Sequence, residues 1–78
     1  MAYYDALAQK LAEDVLAAQR ALNDDQLVKD IAETIEATSS TLHEAFMTAV
    51  RVYAAEERAR LQLEQRLKAG GFTLKPPR

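Results

Sequence analysis

The chain reads as an all-α protein, and three features carry that expectation: no glycine or proline before residue 70, a majority of good helix formers, and apolar residues recurring at steps of three and four. Both glycines and both prolines fall in the last nine residues, so residues 1–69 contain no strong breaker of regular structure. Alanine, leucine, glutamate, glutamine, lysine and arginine dominate that stretch, and these side chains lose little rotamer freedom on a helix.

Tyr4, Leu7, Ala8, Leu11, Val15, Ala18 and Leu22 fall on one face of a first helix, with Asp5, Gln9, Glu13 and Arg20 pointing elsewhere. Asn23-Asp24-Asp25-Gln26 follows. Asn23 or Asp24 is suited to cap a new helix, and Asn23 with Gln26 has capping-box spacing. So short a connection predicts an antiparallel neighbour.

The second helical region sets Leu27, Val28, Ile31 and Ile35 on one face and then meets Thr38-Ser39-Ser40-Thr41. Hydroxyl side chains compete for local backbone bonds, and Thr41 with Glu44 has capping-box spacing. Yet Val28, Ile31, Ile35, Thr38, Leu42, Ala45, Ala49 and Val52 keep their phase straight through this run. The unbroken phase favours one continuous helix, ~69 Å long if carried to Ala69. The expected fold is therefore a helical hairpin with a long second helix that dimerises into a bundle. A break near Ser40 would instead give three helices of roughly 20, 15 and 29 residues and a more self-sufficient monomer.

From residue 42 onward, Leu42, Ala45, Phe46, Ala49, Val52, Tyr53, Leu63 and Leu67 form one apolar stripe, with Met47, Val50, Ala54 and Leu61 beside it. A face this wide suits a helix packed on two or three others. Gly70-Gly71 closes the helical domain of residues 1–69, and residues 70–78 read as an extended tail, with Phe72 and Leu74 as candidate docking anchors before Pro76-Pro77.

A chain of 78 residues has room for one domain and a thin core. Cysteine is absent and histidine occurs once, so neither disulfides nor a structural metal is expected to supplement that core. Self-association remains. The opening residues lack the unbroken apolar run of a secretory leader, and no stretch is long enough to span a bilayer, which together predict a cytoplasmic protein away from membranes.

Charge is uneven. Residues 1–43 carry eight carboxylates against three cations, a balance of −5, whereas residues 44–78 carry seven cations against four carboxylates, a balance of +3. An acidic half attracting a basic half can set orientation within or between chains. The alternative use is a nucleic acid held by Arg51, Arg58, Arg66 and Lys68, although these do not form a single stripe and the chain is acidic as a whole. Glu56 and Arg60 interrupt the apolar stripe and form a candidate register pair.

Catalysis has little support. His43 has no partner at a spacing that makes a metal or nucleophile site, and no glycine-rich loop precedes a helix. Neither an enzymatic activity nor a cofactor is expected. Tyr3, off the main stripe, is a candidate interface anchor. The sequence thus points to a small helical adaptor or assembly subunit that forms homodimers and binds a partner protein. Its candidate interface is Leu42, Phe46, Ala49, Tyr53, Leu63, Leu67, Phe72 and Leu74. A dimeric nucleic-acid-binding regulator is the alternative.

Overall fold

A computed structural model describes residues 2–71, and among them the chain forms three α-helices and no strand: α1 (Tyr3–Leu22), α2 (Leu27–Thr38) and α3 (Ser40–Ala69). The all-helical expectation holds, and the continuous second helix does not. Ser39 interrupts it with φ −156° and ψ 104°, an extended conformation between two helical neighbours.

Local chemistry explains where each helix starts and stops. At the front of α1, the Asp5 carboxylate accepts the Ala2 amide at 3.2 Å and places negative charge at the positive end of the helix. At its end Asn23 adopts the left-handed conformation (φ 53°, ψ 44°), with the Asn23 amide bonded to the Arg20 carbonyl at 3.3 Å and the Asp24 amide to the Gln19 carbonyl at 3.0 Å. That pair of bonds is a Schellman closure, so Asn23 ends α1 and does not begin α2. Asp24 instead accepts the Gln26 amide at 3.0 Å, turning the chain. The start of α2 is capped from outside, because the Gln19 side-chain oxygen accepts the Val28 amide at 3.2 Å.

At the break, Thr38 donates its hydroxyl to the carbonyls of Thr34 and Ile35 at 3.3 and 3.1 Å. Ser39 then caps α3: its hydroxyl oxygen accepts the Leu42 amide at 3.1 Å. The helix starts at Ser40, the expected point of division, with the interruption and the cap one residue earlier at Ser39, and the Thr41–Glu44 box is not used. Gly70 and Gly71 end α3 as expected, with Gly71 taking the positive φ of 86° that a side chain would resist.

Corner contacts fix the directions. Tyr4 and Asp5 lie beside Thr41 and Ala45, Glu13 and Leu16 beside Tyr53, and Arg20 beside Glu57, so α1 and α3 run the same way. Between them α2 returns the chain from the far end of α1 to the start of α3.

The core holds Ala8, Ala12 and Val15 from α1, Ala32 and Ile35 from α2, and Phe46 and Ala49 from α3. Four of these seven are alanines, which lets the helices approach closely but buries little apolar area per residue. Phe46, at 0% exposure, is the one large side chain withdrawn completely from water among the described residues. Leu11, Leu27, Val28, Ile31, Leu42, Met47, Val50 and Tyr53 pack around it half-buried.

Two outcomes follow from this packing. Phe46→Ala should cost about 3–5 kcal/mol, enough to unfold a domain of this size, and is read by chemical denaturation. Ser39→Ala should cost about 1 kcal/mol and leave the three-helix architecture intact.

Candidate association surface

At 1.5 Å per residue α1 is ~30 Å long, α2 ~18 Å and α3 ~45 Å. Because α1 and its closing turn reach α3 only as far as Leu61, the end of α3 extends past its neighbours. From Gln62 to Ala69 only Glu64 and Leu67 are even partly covered. This overhang changes the status of several residues.

Phe46 belongs to the chain's own core and is withdrawn from the expected interface, since a group at 0% exposure cannot touch a second molecule, and Ala49, also in the core, shows only its 8% exposed edge at the floor of a groove. The reason is the break at Ser39, which folds α2 back to cover them. Leu42 and Tyr53 are half-buried against that core. Leu63 is 48% exposed and Leu67 partly covered. Phe72 and Leu74 lie outside the described residues.

Large apolar groups that remain open are Val52 (60%), Leu61 and Leu63 on α3, with Tyr3, Leu7 and Leu22 on α1. Tyr3, the expected anchor, stands in solvent with its ring edge-on to Tyr4, centroids 6.0 Å apart. Val52, Ala59 and Leu63 follow one another at steps of seven and four, which places them along a single line of α3. Ala59 on that line and Ala55 beside it, both exposed, carry minimal side chains.

Where the line meets α1 there is an open groove of about 650 Å³. Its floor is Ala45, Thr48, Ala49 and Val52, its α1 wall is Tyr4 and Gln9, and Asp5 and Glu44 bring negative charge to one end. It contains no histidine and no basic group. Such a groove suits apolar side chains accompanied by a cation more than a reacting small molecule.

Polar groups around the surface are ordinary in their chemistry. Arg20 reaches Glu57 at 2.7 Å and ties α1 to α3 near the edge of the covered region. Arg60 grips Glu56 through Nη2 at 2.7 Å and Nε at 3.1 Å, both to Oε2, one turn apart on α3. This hydrogen bond, more than the Coulombic attraction to Arg60, holds the Glu56 carboxyl below its usual value of 4.5. The register pair thus satisfies itself within one helix. Arg51, Arg58, Arg66 and Lys68 are all exposed and form no ion pair among the described residues, but they do not share a face of α3. His43 is half-buried, and no group of three or more metal-binding side chains gathers among the described residues.

Sequence reasoning missed Ala12 and Ala32, whose small side chains carry a weak hydropathy signal, and the groove, which exists only because α1 and α3 lie side by side. No helix among the described residues is long and apolar enough to cross a membrane.

One titration checks the electrostatics. A depressed folded-state pKa means that the Glu56–Arg60 contribution is present at neutral pH and is lost as pH falls through that lowered value. Carboxyl NMR should find Glu56 titrating below the ordinary glutamate range, and Arg60→Gln should return it upward.

No protein-family model, no curated protein and no solved structure matches this chain.

Proposed function

We propose that this chain is a non-catalytic helical association module, a cytoplasmic adaptor or assembly subunit that pairs with itself and presents the resulting helical surface to a partner protein. The observation that carries this reading is the overhang of α3 together with the exposed line of Val52, Ala59 and Leu63 that runs into it, which has no covering element among the described residues. Burying an exposed leucine or valine contributes about 1.5–3 kcal/mol, a large fraction of the stability available to so small a core. Association therefore supplies what a core of seven residues, four of them alanine, lacks.

The groove along α1 and α3 adds to this reading because it continues the same line and sets Ala45, Ala49 and Val52 in its floor. Residues 72–78, with Phe72 and Leu74, are the second candidate point of attachment for the partner. A nucleic-acid role is favoured by one observation, four exposed cations on α3 without carboxylate partners, and disfavoured by their scatter around the helix and the net charge of −2.

Sedimentation equilibrium should show mass rising from one chain toward two with concentration, and Val52→Glu with Leu63→Glu should hold the chain as a monomer of unchanged helicity. A wild-type chain that stays single at the highest soluble concentration would remove the reading. Binding to a nucleic acid that weakens steeply with added salt would favour the alternative.

A further inference from the structure

A groove and an overhang on the same helix invite a reciprocal fit. The groove floor is centred near Thr48, and the exposed leucine that lies on the line of Val52 and Ala59 is Leu63. In an antiparallel pair of identical helices related by a two-fold axis, each residue faces one equally far on the other side of the axis. Setting Leu63 over Thr48 places the axis between Ala55 and Glu56, and the rest of the register is then determined. Val52 falls opposite Ala59, and Ala45 opposite Arg66, with Glu44 one residue beyond.

Three features of this register were not used to choose it. Ala55 and Ala59, exposed and small, lie next to the crossing point, where two helices must approach most closely. Glu56 is neutralised by its own Arg60, so the seam carries no unpaired carboxylate at the axis. Arg66, which has no ion-pair partner among the described residues, arrives at the acidic end of the groove, on the same flank of the seam as Glu44. This is charge complementarity between the basic end and the acidic beginning of the surface, satisfied twice by one symmetry operation.

We infer that the α1–α3 groove is the seat for the projecting end of α3 from a second copy, in an antiparallel two-fold dimer. Leu63 of each copy enters the groove of the other near Thr48, and Arg66 of each pairs with Glu44 of the other. This inference rests on the self-association proposed above and specifies its geometry. The overlap from Ala45 to Arg66 is ~33 Å long and one helix wide, roughly 10 Å, which is less than the ~800 Å² per partner of a standard interface. Such a dimer dissociates in the micromolar range, within reach of sedimentation and titration calorimetry.

A charge exchange tests the seating. Glu44 and Arg66 are both exposed, so reversing either leaves the monomer core untouched. Glu44→Arg alone and Arg66→Glu alone should each raise the dimer dissociation constant about ten-fold, since each replaces two attractions per dimer by two repulsions. The double variant Glu44→Arg/Arg66→Glu should return to within about two-fold of wild type, because the exchanged pair forms again across the axis. An equimolar mixture of the two single variants should associate as a heterodimer as tightly as wild type.

A wild-type chain that remains monomeric overturns both this inference and the proposed function. A wild-type dimer that is indifferent to both single reversals, or is weakened by them and not rescued by the double variant, overturns the seating and leaves self-association standing. A single wild-type chain whose groove resonances shift when residues 72–78 are deleted assigns the groove to the chain's own tail and overturns the inference.

Discussion

Phe46 can leave water only if three helical segments close around it, and a straight helix running from residue 27 to residue 69 could not supply them, because its first third would point away from the aromatic ring. The extended backbone at Ser39 resolves this conflict. It turns α2 back along α1, so that Ala32 and Ile35 meet Ala8, Ala12 and Val15 on one side of the ring. The interruption costs helical hydrogen bonds, and the hydroxyls of Thr38 and Ser39 replace part of that loss locally. Everything else in the architecture depends on this corner, including the parallel course of α1 and α3 and the groove between them.

The same corner creates the imbalance from which the functional reading grows. Once α2 is spent on covering Phe46, nothing among the described residues remains to cover the last third of α3. Helix lengths of 20, 12 and 30 residues cannot be matched in a three-helix arrangement, and the excess falls on α3 beyond Leu61. A helix end of this kind is weakly held by its own chain, because isolated helical turns are marginal in water without an apolar face to bury. Evidence of purpose lies in its composition. A simple frayed end has no need of leucines at 61, 63 and 67, whereas an end that meets another surface does.

Much of the fold was legible in the residues. Helical content, the turn near Asn23, the closing glycines and most of each inward face followed from local chemistry, whereas Leu7 and Leu22, on the apolar stripe of the first helix, stand in solvent, and Ala12 and Ala32 are buried without having belonged to a stripe. The position of the corner did not, for an instructive reason. Hydrophobic phase records which side of a segment is buried, and a bend toward the buried side preserves that record. Ile35 and Ala49 therefore read as one stripe although they sit on different helices. Thr38 to Thr41 was the informative signal, since four adjacent β-hydroxyl residues are rare where a helix must run on. The apolar stripe of α3 divides: Leu63 and Leu67 stay outside the core, while Phe46 and Ala49, on the same stripe, are consumed by it. Sequence periodicity cannot distinguish a face covered by its own chain from one covered by another, because both are equally apolar.

The account stands on the exposure of the end of α3, which finds no cover among the described residues, and amide hydrogen exchange along α3 measures this most directly. At concentrations where the chain is single, amides from Gln62 to Ala69 should exchange far faster than those around Phe46, and they should slow as concentration rises while the Phe46 region stays unchanged. Slow exchange from Gln62 to Ala69 in the dilute monomer, equal to that around Phe46, would contradict the account.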